Sequence, residues 1–338
     1  MSVRKTLQRQ QEAINYTPNS SGSAKLQRNY NYSYIIFELF VNYNVAAATT
    51  GDRATPAGSF KYLNFANLIK NFQIFGNGST EFKNQSFNQL VYQTYIYNRG
   101  KLFHEIPAIT PGDHSFTLRV IVPLSSLLMA KPSDTGLLSN QFQTLDYLVN
   151  WNDQNAVGTG ITINSAQLKP SSFEKIETIL QGETPPSNLK LVQKLQSEQI
   201  TTTTNGYLIN LPPQKQYQYF QFDMLSGNDN SAMVGAIKNI KFLDGTDVVV
   251  QLSVDTLKAM NRLRYGIDDE MFKKVYATEI AANQVINPDA HFMLDFSDRG
   301  HYSNSYALKD FKSPQLSIDT NLTSGKNLNL NICSVFAE

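Results

Sequence analysis

Two stretches, YSYIIFEL at residues 32–39 and YQYFQFDM at residues 217–224, repeat one pattern in the two halves of the chain. Both read Tyr-x-Tyr-x-x-Phe-acid-apolar, and short runs rich in aromatic and β-branched residues are typical of strands. A match of this kind indicates an internal repeat, and an internal repeat decides the whole architecture.

A second pair of segments continues the repeat in the same order. IKNFQIFGNG at residues 69–78 and IKNIKFLDG at residues 237–245 each predict a strand that enters a tight turn at Asn-Gly or Asp-Gly. The spacing between the pairs differs because the first half has a longer loop at residues 45–60. The sequence therefore predicts two copies of one β fold fused head to tail. The alternative is two unrelated β domains with ordinary hairpins.

Each half also contains one predicted helix after its strand pair. Ser86 is the expected N-cap of the first helix and Asp255 that of the second, and the helices are expected to end near Gly100 and Gly266. Elsewhere short β signals dominate, such as the period-two alternation of residues 115–122. Many short strands without alternating helices favour a β-sandwich or barrel over a parallel α/β sheet.

The composition excludes several classes of protein. The 29 Lys and Arg nearly cancel the 28 Asp and Glu, which argues against a protein that coats itself with nucleic acid. Only 17% of the 338 residues are charged, against about 25% in an average globular chain, so amides and hydroxyls must supply the polar surface. The single cysteine, Cys333, forbids an internal disulfide. The longest apolar stretch, residues 120–130, is interrupted and far shorter than the ~20 residues of a membrane helix. We therefore expect a protein that is made in the cytoplasm.

The first 28 residues differ from the rest because they carry five basic residues against one acid, Glu12: Arg4, Lys5, Arg9, Lys25 and Arg28. Val3, Leu7 and Ile14 fall close to one face of a predicted helix. Residues 17–23 are rich in Ser, Pro and Gly and predict a flexible tether. The segment is either a basic arm that touches a membrane or polyanion, or a disordered and solubilising tail.

No recognisable catalytic, cofactor or metal motif is present in the sequence. The four histidines are not spaced as metal ligands: His104, His114, His291 and His301. The acidic run at residues 268–270 is more typical of a solvated turn than of a calcium site. Neither a phosphate-binding glycine loop nor a nucleophile elbow occurs, and nothing indicates an activated thiolate at Cys333. We therefore predict no catalytic residues, no cofactor and no metal ion.

Several motifs of the second half resemble one known family. Leu211-Pro212 precedes the strand at residues 217–225, and GAIKNI at residues 235–240 leads into the turn at Asp244-Gly245. FMLDF at residues 292–296 is followed by YAL at residues 306–308, where Lys309 interrupts the usual Ala-Leu-Asp run. These motifs are similar to those of the double jelly-roll major capsid proteins of tailless bacteriophages with an internal membrane, a lineage that includes adenovirus hexon.

The resemblance implies an all-β fold of two tandem antiparallel eight-stranded jelly-roll sandwiches, each with a short helix, plus the basic arm. The expected division is an arm at residues 1–28, a first jelly roll at 29–186 and a second at 187–338. Three chains would form a homotrimeric, pseudo-hexameric capsomer of an icosahedral virion that encloses a lipid membrane. Residues 60–65 would supply buried aromatic side chains within the trimer.

The resemblance also implies the partners. These would be neighbouring capsomers, vertex or penton proteins, other minor capsid proteins and, through the arm, the internal membrane lipids. Arg4, Lys5 and Arg9 are the candidate membrane-facing residues, and no sequence-specific nucleic acid is expected.

Two other classes of protein remain open at this point. A jelly roll can serve as a carbohydrate- or receptor-binding module, such as a viral spike or lectin-like domain, which would need an exposed patch of aromatic side chains. A glycan-active enzyme would need two facing carboxylates. Glu38 and Asp223 are candidates, but they occupy equivalent positions of the repeat, one in each half, which favours shared architecture over a catalytic pair.

Overall fold

The computed structural model describes fourteen segments that together span most of the chain: residues 2–8, 12–28, 31–46, 64–98, 107–108, 110–125, 136–158, 160–178, 191–227, 233–266, 290–296, 306–307, 311–323 and 325–337. Nearly all regular structure in these segments is β, as predicted. Neither of the two described α-helices is long and apolar enough to cross a membrane.

In the described segments, the first half contains ten strands and one α-helix. The strands are β1 Ser2–Gln8, β2 Ile14–Asn15, β3 Ser21–Lys25, β4 Asn31–Val45, β5 Ile69–Gly76, β6 Thr80–Gln85, β7 Gly112–Pro123, β8 Leu137–Leu138, β9 Leu145–Trp151 and β10 Ile161–Thr178, and the helix is α1 Phe87–Tyr97. They form two four-stranded layers, ordered β1-β10-β4-β7 and β6-β5-β9-β3, with short β2 and β8 added to the first. All pairs within these layers are antiparallel.

The second half repeats this arrangement, with nine strands and one α-helix among its described residues. The strands are β11 Leu191–Ile200, β12 Tyr207–Asn210, β13 Gln216–Ser226, β14 Ile237–Asp244, β15 Asp247–Ser253, β16 His291–Asp295, β17 Tyr306–Ala307, β18 Pro314–Thr320 and β19 Leu328–Ala337, and the helix is α2 Val254–Tyr265. Its two layers are ordered β11-β19-β13-β16 and β12-β18-β14-β15, with β17 added beside β13.

The two halves correspond strand for strand. The equivalent pairs are β1 and β11, β3 and β12, β4 and β13, β5 and β14, β6 and β15, β7 and β16, β9 and β18, and β10 and β19. The register agrees, because Ile36 of β4 lies opposite Ile121 of β7, and its equivalent Gln221 lies opposite Met293 of β16. The predicted repeat and the prediction of two eight-stranded antiparallel sandwiches, each with a short helix, are confirmed.

The structure corrects the helix and the tether predicted for residues 1–28. Residues 2–8 form strand β1 and pair with β10, so the helical spacing of Val3, Leu7 and Ile14 does not produce a helix. Residues 21–23 of the predicted tether belong to β3, which pairs with β9. Ile14 is buried and packs closely against Gly22, where an added Cβ would lie 2.4 Å from the Ile14 Cγ2 atom. Backbone pairing with two distant strands therefore outweighs the local apolar spacing.

Two smaller predictions also need correction. Ser253, not Asp255, is the N-cap of α2, because its side chain accepts a hydrogen bond from the Thr256 amide; Asp255 lies in the first helical turn.

Phe65 is fully buried inside the first half, where its ring stacks on Phe116 at 5.2 Å between centroids. It is therefore not available to a trimer contact, and residues 60–63 lie outside the described segments.

Some of the remaining predictions are confirmed, and others concern residues that the structure does not describe. Ser86 is the N-cap of α1, and Gly266 ends α2 in the left-handed conformation at φ 62°. Gly100 lies outside the described residues, as do residues 29–30 and 179–190, where the predicted domain boundaries fall. The division at residues 28 and 186 therefore stays a prediction.

Each sandwich has an aromatic core built from inward-facing strand positions. In the first half, Phe37 of β4 packs edge-on against Phe72 of β5 at 4.9 Å and against Tyr147 of β9 at 5.1 Å. In the second half, Phe220 of β13 packs against Phe242 of β14 at 6.4 Å between ring centroids. These contacts tie the two layers of each sandwich together.

Replacing Phe37 with alanine should lower the free energy of unfolding by about 3–5 kcal/mol, because it leaves a cavity beside two buried rings, Phe72 and Tyr147. The measurement is urea unfolding of the full chain. Gln167→Ala, on the outward face of β10, is the control and should change stability by no more than about 0.5 kcal/mol. Equal losses for both variants would contradict this assignment of the core.

Candidate functional site between the two halves

The two halves are joined by a shared sheet. Strand β6 of the first half pairs in parallel with β11 of the second, with Gln193 opposite Lys83. One layer of each sandwich thereby merges into a single sheet ordered β16-β13-β19-β11-β6-β5-β9-β3. This region, which we call the seam, comprises β6, α1, β11 and the outward faces of β13, β16 and β19.

Helix α1 begins with a capping box and is packed at the seam. The Ser86 hydroxyl accepts from the Gln89 amide and the Gln89 side chain accepts from the Ser86 amide, both at 3.2 Å, which forms a capping box. On the side that faces the first half, the Thr94 hydroxyl accepts from the Ile121 amide of β7 at 2.8 Å. All residues from Phe87 to Ile96 are buried, so the helix is covered on every side.

The other side of α1 contacts the second half through amide side chains. Gln89 donates to the Asn331 carbonyl at 3.2 Å and its own carbonyl accepts from Gln221 at 2.9 Å. Gln93 donates to the Tyr219 hydroxyl at 3.2 Å. Buried hydrogen bonds between specific partners fix one relative position of the packed elements. The two halves are therefore held in a defined arrangement.

Lys83 and Cys333 lie together in the buried part of the seam. Burial lowers the pKa of the Lys83 amine to about 7, and the Nζ atom has no hydrogen-bond partner among the described residues. Burial also raises the pKa of the Cys333 thiol to about 12, although the nearby amine opposes this. The thiol is therefore neutral at physiological pH and is not an activated nucleophile, in agreement with the sequence analysis.

Asp223 and His291 form a second buried pair at the seam. The Nδ1 atom of His291 lies 3.4 Å from the Oδ1 atom of Asp223, and both side chains are fully buried. Burial raises the pKa of Asp223 to about 7, against a weak opposing hydrogen bond from Asn331. The His291 ring also stacks on Tyr92 of α1 at 4.8 Å, so this pair adds a further contact across the seam.

Glu38, the equivalent of Asp223 in the first half, has a different environment. It is partly exposed on the outward face of β4 and forms an ion pair with Arg119 at 2.8 Å. The two carboxylates therefore occupy equivalent positions on separate halves, as expected from the repeat, and do not face each other across one cleft.

A polar groove opens beside the seam. Its volume is about 470 Å³, and it is lined by residues of β5, β11 and β19 and the start of α1. Asparagines dominate the lining: Asn67, Asn71, Asn88, Asn152, Asn329 and Asn331. The lining holds no aromatic ring, and the large apolar side chains exposed in the described segments are all aliphatic: Leu208, Val234, Val248, Met260 and Leu263. Among the aromatic side chains of the described segments, Tyr34, Phe40 and Phe75 are partly exposed.

The remaining residues singled out from the sequence are not brought together. Arg4 and Lys5 lie on β1, where their backbones pair with Ile176 and Lys175, and Arg9 lies outside the described residues. His104, His301 and residues 268–270 are outside as well. In the described part of the chain, no three His, Cys, Asp or Glu residues are placed to hold a metal ion.

Sequence analysis named Asp223, His291 and Cys333 singly but did not bring them together at a seam, and it missed Lys83 and Gln193. Lys83, Gln193 and His291 belong to no motif, and each is separated from its contacts by many residues. One usable signal was the mismatch within the repeat, because Gln221 stands where the first half has Ile36, and Lys83 where the second half has Val250. Such differences mark faces that are covered in one half only.

Comparison with known structures defines the class of fold. The crystal structure of the STIV MCP, from Sulfolobus turreted icosahedral virus, matches with a TM-score of 0.68 and 14% identity over 100% of this chain and 96% of that chain. The major capsid protein P2 from bacteriophage PM2 matches with a TM-score of 0.58 and 13% identity over 99% and 98%. A quasi-atomic model of the PBCV-1 virus capsid matches with a TM-score of 0.54 and 10% identity over 100% and 94%.

These structures are similar to this chain along its whole length, and at such low identity the likeness establishes the fold. The chain has the double jelly-roll fold, and the resemblance seen in residues 211–212, 235–240 and 292–296 is confirmed at that level. No model of a protein family matches the sequence, and no curated protein does.

Replacing Lys83 with methionine should stabilise the protein near neutral pH by about 1–3 kcal/mol, because it removes a buried amine without a partner. The folded pKa lies below the unfolded one, so stability should rise in the wild type between about pH 7 and pH 10. The variant should lose this rise. Urea unfolding at three pH values measures both effects, with the exposed Lys70→Met as control. A parallel pH dependence in wild type and K83M would contradict the assignment.

Proposed function

We propose that this protein is a major capsid protein, a structural subunit of an icosahedral virion. The observation that carries the proposal is the seam, which locks two equivalent jelly rolls into one block of fixed geometry. A capsid subunit needs such a block, because a hinge between its jelly rolls would change the geometry of its contacts with neighbouring subunits. The similar double jelly-roll structures, which are capsid proteins by their own descriptions, support this function.

The chemistry of the seam supports a structural role over a catalytic one. Its titratable groups are buried between packed strands, with the Cys333 thiol held neutral and Asp223 next to His291. The carboxylates Glu38 and Asp223 stand on different halves, so they do not supply the facing acid and base of a glycan-active enzyme. The protein acts through its shape and contacts and is not an enzyme.

The functional assembly in this proposal is a homotrimer. Three chains contribute six equivalent jelly rolls around one axis, which gives a pseudo-hexagonal tile that packs beside others of its kind. Contacts between tiles are broad and polar, which suits a chain of low charge and abundant amides. The partners are neighbouring capsomers, vertex proteins and other minor capsid proteins, and the location is the virion shell.

The basic residues of the N-terminal segment face an internal membrane in this proposal. Arg4, Lys5 and Arg9 carry positive charge close together, and a basic residue near anionic headgroups contributes about 1 kcal/mol. The pairing of β1 with β10 supports this role, because a strand anchored in the sheet would hold the charges at a fixed place on the tile.

Light scattering on the purified full-length protein tests the assembly. A homotrimer would have a mass of about 114 kDa, three times the 38.0 kDa of the chain, and larger shells built from it are also consistent. A stable 38 kDa monomer at micromolar concentration would contradict the capsomer. The carbohydrate-binding alternative would then be tested on a glycan array.

Charge reversal tests the membrane contact. The variant Arg4→Glu, Lys5→Glu, Arg9→Glu should bind anionic liposomes much more weakly than the wild type and should lose the salt dependence of binding. A matched control reverses three exposed lysines elsewhere: Lys70→Glu, Lys238→Glu and Lys326→Glu. Charge reversal is preferable to deletion of residues 1–22, which would remove strands β1 and β2. Equal binding by the two triple variants would refute the role of these residues.

A further inference from the structure

Helices α1 and α2 occupy equivalent places in the two jelly rolls. Each begins at a serine N-cap directly after an equivalent strand, at Ser86 and Ser253. Asn261 of α2 accepts from the Met293 amide of β16 at 2.7 Å, as Thr94 of α1 accepts from the equivalent Ile121 amide of β7. The inner faces of the two helices are therefore packed in the same way.

The outer faces of the two helices differ in exposure. On α1, Gln93 is 1% exposed and donates to Tyr219 of the second half, and Ile96, at the next turn of the same helix face, is 3% exposed. The equivalent positions on α2 are Leu263, which is 88% exposed, and Met260, which is 44% exposed. Two large apolar side chains thus stand in solvent at the positions through which α1 makes the seam.

The surface that α1 covers also has an equivalent, which is partly exposed in the described part of the chain. In the second half, Tyr219 and Gln221 on the outward face of β13 and Met293 on β16 are buried at the seam. Their equivalents in the first half are Tyr34, Ile36 and Ile121, on the outward faces of β4 and β7, and all three are partly exposed. This second surface is more apolar at one position than the surface at the seam, since Ile36 stands where the seam has Gln221.

The sheet edges show the same asymmetry. At the seam, β6 pairs with β11, but within the described residues their equivalents pair only internally, β15 with β14 and β1 with β10. The two jelly rolls therefore each present one of the two surfaces that a second seam would need. One surface consists of α2 and the edge of β15, and the complementary surface consists of the outward faces of β4 and β7 and the edge of β1.

We propose that these two surfaces meet between copies of the chain, so that α2 of one copy docks on β4 and β7 of the next. Leu263 and Met260 would cover Ile36, Ile121 and Tyr34 as Ile96 and Gln93 cover their equivalents inside one chain. The contact is head to tail, and a contact of this type forms a closed ring when its rotation divides a full turn. Around such a ring, contacts between the two jelly rolls of one chain alternate with contacts between jelly rolls of neighbouring chains. Three chains, with six jelly rolls, therefore close the ring as a trimer. The inference rests on the proposed capsomer and names the surface that builds it.

Point substitutions on both surfaces test the contact by light scattering over a range of protein concentrations. Leu263→Glu and, separately, Ile36→Glu should raise the concentration at which the trimer dissociates by at least about tenfold, because each places a charge in an apolar contact. Leu208→Glu is the matched control, since Leu208 is 55% exposed but lies on β12, away from both surfaces, and it should leave the trimer unchanged. If L263E and L208E dissociate alike, the proposed contact is wrong.

A cross-linking experiment keeps the test independent of any loss of folding. Met260→Cys and Tyr34→Cys are combined in one chain, whose native Cys333 is buried, and treated with a short bis-maleimide. Covalent trimers should appear in denaturing gels for the double variant and not for either single variant. A double variant that is trimeric by light scattering but gives no cross-linked trimer overturns this surface and leaves the capsomer intact. A monomeric wild type overturns both.

Discussion

The structure depends on one constraint, which is that the open edge of a β-sheet must be paired or covered. In the first jelly roll, β6 would leave such an edge, and β11 of the second jelly roll closes it. This pairing brings the outward faces of β13, β16 and β19 over α1, and the buried amide network then follows, because polar groups removed from water need partners. The rigid relation between the two halves is thus a consequence of edge closure.

The same constraint explains why two copies of one fold have unlike surfaces. Equivalent positions differ in chemistry wherever the seam covers one copy and not the other, as Gln221 and Ile36 or Asp223 and Glu38 show. Asp223 lies buried against His291, whereas Glu38 remains at the surface with Arg119. A duplicated fold has in this way become directional, with distinct surfaces at its two ends.

The features that the sequence predicted well are those with a local or repeated signal. The repeat, the alternating strands and the Ser86 cap are visible in short windows, and the structure confirms them. The predicted helix near the N-terminus failed because the pairing of β1 with β10 spans most of the first half, and no local window reports such a partner. The cap of α2 was misplaced by two residues because Ser253 and Asp255 are both good capping residues, and only the end of β15 decides between them.

The burial of α1 also constrains the order in which the chain can fold during synthesis. The ribosome synthesises α1 long before β13, β16 and β19. Tyr92 and Ile96 therefore stay exposed to solvent until those strands have been translated. During that interval the second jelly roll of another nascent or newly released chain presents the same cover. Exchange of second jelly rolls between chains would satisfy every seam contact with the wrong partner. Crowded synthesis on one messenger RNA would therefore favour domain-swapped dimers, which compete with correctly paired subunits.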